Sequence, residues 1–174
     1  MTGLTREVIL NRECEAQTSA LHRKTSVFGF CFDKEPRIVI RREAALTLFE
    51  QVRLGILHAV TSSVTFLELD RTAEPLRSEL MALLEDVQIL EADEAEVTRL
   101  TAVYLDEQVI PRQHLNDARH VAFATIGKAD VLVSLNLRHI ANDWAERSIG
   151  AVNLREGYQV LRVKTPEEVL RYED

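Results

Sequence analysis

"HLNDARHVAFATIGKADVLVSLNLRHIAN", residues 114–142, holds a helix pattern, a stop and a buried strand in one run. Ala118, Val121, Ala122 and Thr125 recur at helical spacing, and Gly127 ends the pattern. "DVLVSL" then reads as a short strand that is apolar without alternation, as a parallel strand covered on both faces would be. Asp117 stands four residues before Val121 and so points near the apolar face. It is either a first-turn acid favoured by the helix dipole, with Asn116 as cap, or a carboxylate lining a pocket. Asn136 follows the strand, where it either caps "LRHIAN" or belongs to a site at the strand's carboxyl end.

The same alternation extends outward in both directions. "REAALTLFEQVRLG" places Ala45, Leu48, Phe49 and Val52 at helical spacing and stops at Gly55. "ILHAVTS" reads as a strand, and "SVTFLELD" as a helix capped by Ser62 or Ser63. "EPLRSELMALLED" is a further helix and "VQIL" a strand. "DEAEVTRLTAVYLDEQ" is a long amphipathic helix with Asp93 as its cap. Beyond the opening run, "LRHIANDWAERS" is helix or turn and "YQVLRVK" a strand. "TPEEVLR" is a helix opened by Thr165 and Pro166. This pattern predicts an α/β fold: a three-layer α/β/α domain on a mostly parallel central sheet of four or five strands. The domain is expected over residues 21–174, with no repeat and no long linker.

The chain has 174 residues and a formal net charge of −7, with 21 basic against 28 acidic side chains. That balance disfavours sequence-blind nucleic-acid binding, which runs on excess Lys and Arg. It leaves room for a local basic rim: His22, Arg23, Lys24, Arg37, Arg41 and Arg42 make the early chain positive, as either a solvated surface or a phosphate-facing edge. Cys14 and Cys31 are too few for a disulfide framework or a zinc site. No apolar run approaches the roughly 20 residues of a membrane helix, and the first 30 residues lack the apolar centre of a secretion signal. A reducing cytoplasm is the expected compartment.

"TSVFGFCFD", "VTSSVTFLELDR", the run from Leu115 to Asn142 and "VNLREGYQVLRVKTPEEVL" together resemble PIN domains in order and spacing, over Thr25 to about Leu170. PIN domains are small α/β folds, many of them magnesium- or manganese-dependent endoribonucleases. Many bacterial members are toxins held by a cognate antitoxin, and homodimers are common. Carried onto this chain, the resemblance implies acidic-site positions at Lys24, Glu68 and Asp117, with Asn136 at the fourth. Glu68 and Asp117 would hold Mg2+ or Mn2+. Asn136 would orient a metal-bound water or ligand; as substrate-side groups, Ser134 could bond such a water or be a plain strand-end serine, and Arg138 could contact phosphate or be solvated. Lys24 departs from the family, which carries an Asp there.

The departure reaches upstream. Family members begin with an apolar strand running into that Asp, whereas "QTSALHR" is a poor strand. Residues 1–20 form a leader without a family counterpart, either outside the fold or replacing the first strand. "EVIL" at 7–10 is the candidate replacement, ending at Asn11.

Phosphodiester hydrolysis needs an activated water and compensation of charge on the phosphate, and divalent ions supply both. Magnesium prefers carboxylate oxygens and keeps several waters, so two to four acids from different elements suffice. Glu68 follows Val64 by one turn, so its carboxylate either lines a pocket or wets the core's rim. A lysine among these acids cannot ligate while protonated; its ammonium would neutralise them in place of the ion. The expectation is weak or absent metal binding and strongly reduced or lost nuclease activity, unless Lys24 points outward and Glu13 or Glu15 substitutes. The other expectation is a non-catalytic module that binds RNA or a protein. Asp33 reads as turn chemistry before Pro36. Arg112 is a phosphate contact or a solvated cation, and His114, His120 and His139 read as structural or surface groups.

Overall fold

In a computed structural model of the chain, residues 7–10, 39–85, 87–135 and 140–171 are described. Their elements are β1 (Glu7–Leu10), α1 (Val39–Arg53), β2 (His58–Thr61), α2 (Ser63–Leu69), α3 (Leu76–Leu83), β3 (Gln88–Ile89), α4 (Glu94–Asp106), α5 (Leu115–Ile126), β4 (Val131–Val133), α6 (Asp143–Arg155), β5 (Arg162–Lys164) and α7 (Pro166–Arg171).

Local chemistry explains the helix starts. Asp93 accepts from the backbone N–H of Ala95 and Glu96 at 2.9 and 3.0 Å, capping α4. Asn142 caps α6 through Ala145 N–H at 2.9 Å. At α7 the Glu168 N–H donates to Thr165 Oγ1 at 3.3 Å while Glu168 Oε2 accepts from Thr165 N–H at 2.8 Å, a reciprocal capping box. Gly55 takes φ +70° just past α1, a left-handed conformation that costs glycine nothing.

The expected architecture, with a central sheet of four or five strands built by residues 21–174, needs correction. Among the described residues, helices dominate, and that stretch supplies only four strands, two to four residues long. They form two separate two-stranded pairs, β2 with β3 and β4 with β5. The segments read as longer strands bury their apolar residues by packing rather than by pairing. In "VQIL" Val87 joins one apolar cluster and Leu90 packs on the other, its N–H donating to Thr61 O at 2.7 Å just past the paired Gln88 and Ile89. In "YQVLRVK" the Tyr158 hydroxyl bonds Glu96, Val160 is exposed, and pairing starts only at Arg162.

What joins the two pairs comes from the leader. Glu7–Leu10 runs parallel to both β2 and β4, with Ile9 in register with Val60 on one side and Leu132 on the other. The strand order is β3-β2-β1-β4-β5.

The core falls into two apolar clusters. Ala45, Leu48 and Phe49 of α1 meet Leu69, Leu80, Ala59 and Val133 in one. Leu100 and Tyr104 of α4, Val121 and Ala122 of α5, and Ile149 of α6 meet Val60 and Leu132 in the other. Neighbours along a strand, Ala59 and Val60 or Leu132 and Val133, thus go to opposite clusters, as the two-residue period of a strand requires. The chain steps from β1 to β2 and β3 on one side, then to β4 and β5 on the other. Such a reversal puts a crevice beyond the carboxyl ends of the strands at the switch. Among the described residues, no helix is long and apolar enough to cross a membrane.

Candidate functional site

Beyond the carboxyl end of β2, Thr61 and Ser62 lead into α2, and four polar side chains there are buried: Thr61, Ser62, Thr65 and Glu68. Thr61 and Thr65 share a hydrogen bond at 2.8 Å, so the short turn into α2 satisfies its own hydroxyls. Ser62 occupies the N-cap of α2 with extended backbone, yet its side chain makes no cap bond. Its hydroxyl lies 2.9 Å from His120 Nδ1 on α5.

The first turns of α5 supply the other half. Asn116, Asp117 and His120 fall at i, i+1 and i+4, so they present one edge of the helix toward α2. Asn116 Nδ2 donates to Glu68 Oε1 at 2.9 Å. His120 Nε2 faces Glu68 Oε2 at 3.7 Å, with the two side chains 0% and 1% exposed. Neither of those two atoms has a hydrogen-bond partner. Asp117, also buried, has its Oδ2 at 3.4 Å from His114 Nδ1. Ser134 is buried where β4 ends, its N–H donating to Lys164 O at 2.9 Å.

Glu68 and Asp117, the two carboxylates expected to hold a cation, are therefore both buried on neighbouring helices past the strand ends, Glu68 against Asn116 and His120 and Asp117 against His114. Ser134 lies at the same end of a parallel sheet. Lys24, Asn136 and Arg138 lie outside the described residues, as do Glu13, Glu15, Asp33 and His139. Arg112 is exposed and paired to Asp106 at 2.8 Å.

Two roles went unread in the sequence. Asn116 was expected to cap α5, but His114 holds that position and the Asn116 amide serves Glu68 instead. Ser62 was expected to spend its hydroxyl on α2. His120 is buried and bonded to Ser62, in keeping with a structural group, and its spacing from Asn116 and from the core residue Ala124 is the sign that it shares their edge.

A buried carboxylate is the donor type that suits a hard cation keeping several waters. Glu68 Oε2 is a buried acceptor with no donor, the feature most consistent with such an ion. Among the described residues no group of three or more His, Cys, Asp or Glu is arranged to hold a metal. The sequence matches no protein-family model and no curated protein.

Proposed function

We propose that this chain carries a PIN-type acidic site, related to metal-dependent endoribonucleases of toxin–antitoxin systems, with its set of carboxylates incomplete and its activity reduced or lost. The observation that supports this reading is the burial of Glu68, with one oxygen held by Asn116 and the other without a donor, at the strand ends where the first turn of α5 also carries the buried Asp117. A charged carboxylate with an unsatisfied oxygen is costly in a dry interior, and a cation at that edge would offset the cost.

Glu68 and Asp117 would hold Mg2+ or Mn2+, which when bound lowers the pKa of a water and compensates charge on the phosphate. The protein's part is positional. Asn116 fixes one Glu68 oxygen, and α5 holds Asp117 in the adjacent turn. Asn136 would orient a water, and Ser134 and Arg138 would meet the RNA backbone.

The deficit lies at the first acid. By resemblance that position is Lys24; by its place directly after β1 it is Asn11. Neither is a carboxylate. An ammonium among the remaining acids would compete with the cation for them. RNA as substrate, an antitoxin partner and a homodimer belong to the same proposal.

The test uses the full chain, single-stranded RNA of mixed sequence and Mn2+ or Mg2+. Wild type should cleave poorly. Lys24→Asp or Asn11→Asp should raise metal-dependent cleavage, and adding Asp117→Ala should abolish the gain. If submillimolar Mn2+ raises the wild-type melting temperature and Asp117→Ala removes that effect, the site is unimpaired and this reading is wrong. If neither acid-restoring variant gains cleavage, the reading as a non-catalytic module replaces it.

A further inference from the structure

We propose that His120 is the positioning residue for Glu68, an inference that rests on the acidic-site reading above. The imidazole is wholly buried and has two neighbours of opposite demand: the Ser62 hydroxyl 2.9 Å from Nδ1, and Glu68 Oε2 3.7 Å from Nε2. A carboxylate can only accept, whereas a hydroxyl can donate or accept. One neutral tautomer satisfies both neighbours. Ser62 donates to Nδ1, and the proton on Nε2 points at Glu68.

The consequences fall on the Glu68 carboxylate. Asn116 donates to one oxygen and the imidazole addresses the other, so the plane of the group is set from two sides by α5. Asn116 is the one hydrogen-bond donor to the group and the imidazole bounds its other oxygen, so the lone pairs are held in fixed directions. At 3.7 Å the imidazole stands beyond hydrogen-bond reach, so it orients the carboxylate by its dipole and shape and leaves Oε2 unspent. Partners of this kind are what fix the direction of a metal-ligating group, and losing one typically weakens binding 10–100-fold. Ser62 completes the chain, which explains why an N-cap serine makes no cap bond.

Manganese is the probe, titrated into the full-length chain while its paramagnetic broadening of backbone amide signals is followed. Wild type should show broadening centred on Asp117. In His120→Leu the Mn2+ needed for equal broadening should rise by about tenfold or more. His120→Gln, whose amide can still donate toward Glu68, should stay within about threefold of wild type. Ser62→Ala, which keeps the ring but frees it to reorient, should fall between the two and decides the matter if His120→Leu does not fold. Glu68→Gln serves as the reference for loss of the ligand. If His120→Leu or Ser62→Ala matches wild type while Glu68→Gln loses binding, the positioning role is refuted and the acidic site stands. If Glu68→Gln also binds as wild type, or wild type shows no broadening near Asp117, the site reading fails and takes the positioning role with it.

Discussion

Asn116 and Glu68, 48 residues apart in the chain, are joined by a 2.9 Å hydrogen bond that ties α5 to α2. The bond serves a carboxylate that is otherwise sealed from water. Asn116→Leu removes the donor while keeping volume, and leaves both Glu68 oxygens without one. The expected loss is roughly 1–3 kcal/mol, which for a domain of this size lowers the melting temperature by about 2–4 °C per kcal/mol. Asn116→Gln, which keeps an amide, should recover part of it. Thermal unfolding of the two variants side by side checks this, and equal melting temperatures for Asn116→Leu and wild type would refute it.

A second buried network lies further along α5, between that helix, α4 and α6. The Tyr104 hydroxyl donates to Asn153 Oδ1 and lies 3.2 Å from Thr125 Oγ1, while Asn153 Nδ2 donates to Thr125 at 3.0 Å. Tyr104→Phe leaves the Asn153 carbonyl without its donor and should cost roughly 1–3 kcal/mol. Burial also pushes the Tyr104 phenol well above its ordinary value of 10.0. In the unfolded chain the phenol loses its proton near pH 10, while in the folded protein it keeps it. The folded state then binds more protons, and stability falls as pH rises above about 10. Tyr104→Phe should flatten that alkaline limb. Denaturant midpoints at pH 8 and pH 11 measure it; an unchanged slope would count against the buried phenol as its cause.

Acid acts on the surface. Hydrogen bonds lower three carboxylates below their ordinary values: Glu96 from Tyr158 first and then Arg99, Glu107 from Arg155, and Glu156 from Arg99 and then Arg155. A depressed folded-state pKa means stability that is present above the unfolded value of 4.5 and is lost as pH falls below it. These groups are open to solvent, so the effect is small and screened by salt. Arg155→Ala should therefore lower the melting temperature slightly at pH 7 and low salt. The difference should vanish at pH 3 or in 1 M salt. A difference that persists at pH 3 would assign the loss to packing of the arginine stem instead.

Local signals were the legible part of the sequence. Asp93, Thr165 and the apolar stripes of α1, α4 and α5 act within a turn or two of themselves, and the periodicities carry them. Strand length was not legible, because pairing depends on partners far away in the chain and helices took the apolar residues first. That Glu68 and Asp117 lie near apolar faces was legible through their spacing, and both are buried. Ser62 and Asn116 misled because a residue fit to cap a helix can serve a distant partner equally well. Gly127 ends α5 where the sequence indicates, as its C-cap with φ −73°, while Lys128 takes the positive φ of 56°. Glycine is needed there for space, since a Cβ would lie 2.4 Å from Leu90 Cδ2. Gly127→Ala must displace Leu90 and should cost roughly 1–3 kcal/mol, whereas a glycine serving only as a helix stop would lose far less.

The strand at Glu7–Leu10 stands where the sequence offers a replacement for the first strand, and its role can be tested through the backbone alone. Ile9 sits in register with Val60 and with Leu132, so β1 has a strand on each side. Proline cannot donate to a ladder and is tolerated only at edges, ends or bulges. If Glu7–Leu10 joins the β2–β3 and β4–β5 pairs, Val8→Pro and Ile9→Pro between them strike both ladders, since N–H groups along a central strand serve alternate sides. Each should lower the melting temperature by several degrees, at about 2–4 °C per kcal/mol lost. Deleting residues 1–10 should do more, by uncovering facing edges of β2 and β4 that invite pairing with other chains; the truncated protein should aggregate at concentrations where the full chain stays dispersed. Light scattering and thermal unfolding read both effects. A truncated chain that stays monodisperse and melts with the full-length protein would show that residues 39–171 hold together without β1, and that the two strand pairs need no bridge between them.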